Sequence, residues 1–107
     1  MAATKKQVPS ALLRDTLDIP KWVDSLSLAA NTAESYTVPA DIGYLIITGT
    51  NGFYLDVNGT AAVPGDVTDG TAAFYVPSAA EFVVSVGEVI SVISTSATVV
   101  TFAGYRP

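Results

Sequence analysis

Asp66 and Asp69, with Asp56 and Asn58 a short way upstream, form the one cluster of oxygen-bearing side chains in a turn-rich segment of this 107-residue chain. Clustered carboxylate and carbonyl oxygens are what a calcium ion requires. The spacing matches no EF-hand loop, however. Asp, Asn and Gly are also the residues that turns select, because their side chains cap backbone groups and tolerate left-handed geometry. We read the cluster as turn chemistry and assign neither a metal nor a cofactor. Paired carboxylates could instead act as acid and base on a glycosidic bond. That would need two of Asp56, Asp66, Asp69, Glu81 and Glu88 to converge in a cleft, and a small domain without a series of aromatic subsites has little room for one. Trp22, Tyr36, Tyr44, Tyr54, Tyr75 and Tyr105 could stack on sugar rings, but a strand tyrosine ordinarily packs against its cross-strand neighbour and keeps its hydroxyl in water. Asn58-Gly59-Thr60 has the form of a glycosylation acceptor and reads as a turn.

The residue types that are missing narrow the chemistry further. The chain has no histidine and no cysteine. It therefore lacks the usual general base, the commonest metal ligand, and any thiolate or disulfide. We expect no catalytic residues. Charge is segregated: Lys5, Lys6, Arg14, Lys21 and Arg106 lie near the ends, and no Lys or Arg occurs between Trp22 and Tyr105. That interval carries Asp24, Glu34, Asp41, Asp56, Asp66, Asp69, Glu81 and Glu88. A body without cations cannot neutralise phosphates, so nucleic acid is not an expected partner. No apolar run is long enough to cross a membrane as a helix, and the first residues lack the apolar core of a secretory signal. Half the residues are apolar and only 14% are charged, which is apolar for so small a domain and points to surface buried against a partner.

The elements that must position these residues read as strands. From Ala33 onward, period-two segments alternate with turn signals: SYTV (35–38), GYLIITGT (43–50), FYLDV (53–57), AAFYV (72–76), EFVVSV (81–86), VISVIS (89–94) and VVTFAGY (99–105). GYLIITGT is nearly all apolar, as befits a central strand. Asn51-Gly52 is the strongest short hairpin signal available. Phe53, Leu55 and Val57 share one face, and Phe82, Val84 and Val86 point inward. About seven strands at this spacing predict a single all-β, antiparallel sandwich or barrel over 33–107. Residues 1–32 read as an extended arm. Pro9 and Pro20 break any long helix there, while Ser10 with Leu12, Leu13 and Leu17 allows one short one. Trp22 and Val23 would anchor the arm on the sandwich or on a neighbouring subunit.

ESYTVPADIGYLIITG and the following FYLDVNGTAAVPGDVTDGTAAFYV (residues 34–76) resemble small virion proteins of tailed bacteriophages. A strand ending in Thr-Val-Pro, a two-aromatic strand, Asn-Gly-Thr-Ala-Ala-Val-Pro and Asp-Gly-Thr recur there in that order. The resemblance covers a little under half the chain well and EFVVSVGEVISVIS and TVVTFAGYRP more loosely. It implies a jelly-roll-like sandwich and a capsid decoration or cement protein that is not an enzyme. Such a protein is made in the bacterial cytoplasm, sits on the capsid surface, assembles as a homo-oligomer (a trimer favoured) and binds the major capsid protein. The expected partner contacts are Leu12, Leu13, Arg14, Leu17, Lys21 and Trp22 in the arm, and Asn58, Val63, Asp66 and Asp69 in the loop. The alternatives are a carbohydrate- or receptor-binding module of a tail or fibre, and a head–tail accessory subunit. If the acidic cluster is turn chemistry, titrating calcium into the protein gives no calorimetric heat and no thermal shift.

Overall fold

Strand alternation sets the architecture. A computed structural model describes residues 19–107, and these form eight strands and no helix. They are β1 (Trp22–Leu28), β2 (Glu34–Thr37), β3 (Tyr44–Gly49), β4 (Phe53–Val57), β5 (Phe74–Val76), β6 (Ala79–Val83), β7 (Val89–Ile93) and β8 (Thr98–Tyr105). Two four-stranded sheets, ordered β1-β8-β3-β6 and β2-β7-β4-β5, face each other as a sandwich. Every neighbouring pair is antiparallel.

Each strand buries one face between the sheets. Leu45 and Ile47 of β3, Phe53 and Leu55 of β4, Ile90 and Val92 of β7, and Val100 and Phe102 of β8 form the centre of a single core. The sheets are joined across it by Tyr36 of β2 and Phe102 of β8, whose rings stack with centroids 4.2 Å apart and planes 10° from parallel. β3 is central in its sheet, as its apolar run implies. At one end of the core, Ser94 and Thr98 are buried but satisfied. Ser94 Oγ donates to the Gly52 carbonyl at 2.7 Å, and Thr98 Oγ1 donates to the Ser96 carbonyl at 2.9 Å.

Three features depart from the sequence reading. β1 lies inside the segment assigned to the arm, yet pairs with β8 from Trp22↔Gly104 to Leu28↔Thr98. WVDSLSL has the period-two pattern, with Trp22, Asp24, Leu26 and Leu28 turned inward, but the acid and serines between its apolar positions hid it. The short helix and its residues Leu12, Leu13, Arg14 and Leu17 lie outside the described residues. Secondly, Asn51-Gly52 is not a hairpin: β3 and β4 belong to different sheets, so the turn carries the chain across the sandwich. The turn is secured from the β7–β8 connection, where Asn51 Nδ2 donates to the Ala97 carbonyl at 3.1 Å, and from the start of β8, where Thr50 N donates to the Val99 carbonyl at 3.1 Å. Thirdly, β6 ends at Val83, so Val84 is buried but Val86, expected inward, is 64% exposed next to the positive-φ turn at Gly87.

Phe102 is fully buried and carries the inter-sheet stack, whereas Val83 is 85% exposed. Phe102→Ala is expected to lower the unfolding free energy by about 3–5 kcal/mol in urea titration, and Val83→Ala by less than about 0.5 kcal/mol.

Candidate functional site

The loop between β4 and β5 (residues 58–73) joins the one sequential pair of strands that share a sheet edge to edge. It starts at Asn58, which adopts a left-handed φ of 59°. This residue takes over the ladder where β4 stops: its N–H donates to the Val89 carbonyl at 2.7 Å, and its Oδ1 accepts from Val89 N at 3.0 Å. The loop then folds back over the outer face of its own sheet. Ala61 is buried there, and its N–H donates to Ser91 Oγ of β7 at 2.9 Å. Ser91 would otherwise be a solvent-facing position on a central strand, so this one hydroxyl pins the loop.

Two open hollows flank the pinned segment. One, of about 250 Å³, is bounded by Asp56, Thr60, Val63, Pro64 and Thr71. The other, of about 300 Å³, lies between Thr60 and the strand positions Glu34, Ser35 and Ser91. Beside Asp56 on the same outward face, Tyr54 and Tyr75 pack with ring centroids 5.0 Å apart, and Tyr75 stays 50% exposed. The acids of the loop do not converge. Asp69 Oδ1 accepts from Thr71 Oγ1 at 2.6 Å and from Thr71 N at 3.2 Å, which holds its carboxyl below the usual range. Asp56 Oδ1 accepts from Val57 N at 2.8 Å. No group of three or more acids that could hold a metal ion occurs among the described residues.

The expected contact residues therefore fall in two separate places. Asn58, Val63, Asp66 and Asp69 are exposed on the loop over the sheet containing β4. Trp22 begins the edge strand of the other sheet and Lys21 precedes it, its N–H donating to the Gly104 carbonyl at 2.7 Å. Trp22 is 45% exposed, and its Nε1 donates to Asp24 Oδ2 at 2.6 Å. Of the six aromatic residues considered for sugar stacking, Tyr36 and Tyr105 are buried, while Tyr44 donates its hydroxyl to the Glu81 carboxylate.

Sequence reasoning passed over a third surface, the outer face of the sheet containing β3. Its outward positions include Val23 on β1, Val99, Thr101 and Ala103 on β8, Tyr44, Ile46 and Thr48 on β3, and Ala79, Glu81 and Val83 on β6. Glu81 is the single charge among them, and Tyr44 already binds it. The usable signal was the lack of charge at alternate positions of YLIITG and TVVTFAGY. Among the described residues, no helix is long and apolar enough to cross a membrane. No family model, no curated protein and no solved structure matches the chain.

The Tyr36 hydroxyl is buried without a hydrogen-bond partner. Burial, and then the Asp24 carboxylate next to it, push its ionisation well above the ordinary tyrosine range. The folded state therefore favours the protonated phenol. Stability is thus unaffected by this group below the unfolded-state value of about 10 and falls as the pH climbs above it, where only the unfolded chain gives up the proton. Tyr36→Phe removes an unsatisfied donor while keeping the ring stack. It is expected to leave thermal stability at pH 7 unchanged or raised by up to about 1 kcal/mol, and to flatten the decline above about pH 10.

Proposed function

We propose that this chain is a non-enzymatic structural protein of a phage virion. It decorates the head shell as a homo-oligomer, a trimer favoured, and stabilises the shell through contacts with the major capsid protein. The strand order carries this reading. Sheets ordered β1-β8-β3-β6 and β2-β7-β4-β5 support a jelly-roll assignment, an architecture that recurs in viral capsid domains. Architecture alone does not give function, so the reading draws on surface chemistry as well. Among the described residues no group of three or more acids could hold a metal ion, no Lys or Arg lies between Trp22 and Tyr105, and the outer face of the sheet containing β3 carries a single charge. Nucleic acid and membrane are not partners on this reading.

A second reading, a carbohydrate-binding module of a tail or fibre, is favoured by one observation. The half-buried Tyr54 and exposed Tyr75 pack together two positions along β4 from Asp56, which with Thr60 and Thr71 lines a hollow, so an aromatic platform lies near hydroxyl-binding groups.

Immunogold electron microscopy of the parent particle separates the two readings. Label spread over the head is the expected result. Label confined to the tail or fibres, accompanied by hits on a glycan array that Tyr75→Ala abolishes, would replace the first reading with the second.

A further inference from the structure

The two outer faces of the sandwich are treated differently. The chain covers one with its own loop, pinned by the Ala61–Ser91 hydrogen bond. The other, on the sheet β1-β8-β3-β6, is covered by nothing among the described residues. Valines stand on both of its edges: Val23 on β1 and Val83, at 85% exposure, on β6. A surface this apolar on a small domain marks a contact site.

We infer that this face packs against a second copy of the same chain. Charge identifies the occupant. Eight acids and no Lys or Arg lie between Trp22 and Tyr105, so two copies repel wherever their carboxylates meet. Seven of those acids sit away from the outward positions of this sheet, and Glu81, the eighth, accepts the Tyr44 hydroxyl. Facing sheets stand about 10 Å apart. Asp56, outward on the far sheet of each copy, thus lies behind the contact plane by more than the screening length of about 8 Å at physiological ionic strength, and Asp24 of β1 is on the inward row of its sheet. A cationic partner would be matched better by the acidic side of the molecule. The neutral side suits a partner with the same charge problem, which is another copy. Thr48 and Thr101, side by side on the two central strands, mark the middle of the contact.

The inference rests on the homo-oligomer part of the proposed function, with two like faces closing as a dimer in place of the favoured trimer, and not on the virion assignment; one set of measurements separates them. Sedimentation equilibrium of the full chain is expected to show self-association that is nearly independent of salt from 50 mM to 500 mM. Thr48→Glu and Thr48→Lys should each weaken it by about tenfold or more, because either sign buries an unpaired charge. Val83→Ala, which adds no charge, should weaken it less. Thr37→Lys, on the other sheet, should leave it unchanged. Far-ultraviolet circular dichroism confirms that each variant is folded. A monomeric wild type overturns the inference, as do Thr48 variants that associate like the wild type, or association abolished by deleting residues 2–18 but not by the Thr48 variants. If a monomeric wild type still labels phage heads, the virion reading stands and the face inference falls. If the face variants dissociate but no particle is labelled, the reverse holds.

Discussion

The stack of Tyr36 on Phe102 joins two sheets that cannot exist separately. Of the seven connections between successive strands, six pass from one sheet to the other, and only β4 to β5 stays within a sheet. Neither sheet can therefore form from a continuous stretch of chain. Each is completed only when the apolar layer between them closes over Phe53, Leu45, Ile47, Val92 and Phe102. Local hydrogen bonds at the crossings, such as Asn51 to Ala97 and Thr50 to Val99, settle where the chain turns. They do not hold the halves together; burial between the sheets does, and the non-local order implies cooperative folding of the kind expected for β-sandwiches.

With the inner faces committed to that layer, function is left to the outer faces and the edges. The chain spends its one long loop on covering the face of β2-β7-β4-β5, and Asp56, Asp66 and Asp69 belong to β4 and that loop. The opposite face is left with small and apolar side chains and one internally satisfied carboxylate. On the reading proposed above, one side of the molecule is fit for close association and the other for a polar contact with a lattice. A single asymmetry in loop length produces both.

Much of this was legible in the sequence. Period-two alternation located the seven strands after Ala33, because half-buried strands must repeat every second residue. The alternation of Phe53 and Leu55 against Tyr54 and Asp56 gave the inward face of β4. The β1 strand was obscured because its inward positions include Asp24 and its outward ones Ser25 and Ser27, so hydropathy does not oscillate cleanly. Asn51-Gly52 misled for a different reason. Its turn chemistry is the same whether the chain returns beside itself or crosses to a facing sheet, and the choice is made by Phe53 turning into the core. The candidate surface was hardest to see, since an outer face is assembled from alternate residues of four strands far apart in sequence.

The boundary between arm and body is where these threads meet. β1 is an edge strand held by β8 on one side only, and its inward row places Asp24 near the unpartnered Tyr36 hydroxyl. Its outward row contributes Val23 to the bare face. One strand thus flanks the Tyr36–Phe102 stack, sets Asp24 beside the Tyr36 phenol of β2, and borders the surface assigned to a second copy. Unpaired edge strands ordinarily need protection. An association that brought another copy against this face would also shield the flank of β1. A strand supported by a neighbour on one side only would then be flanked on assembly as well.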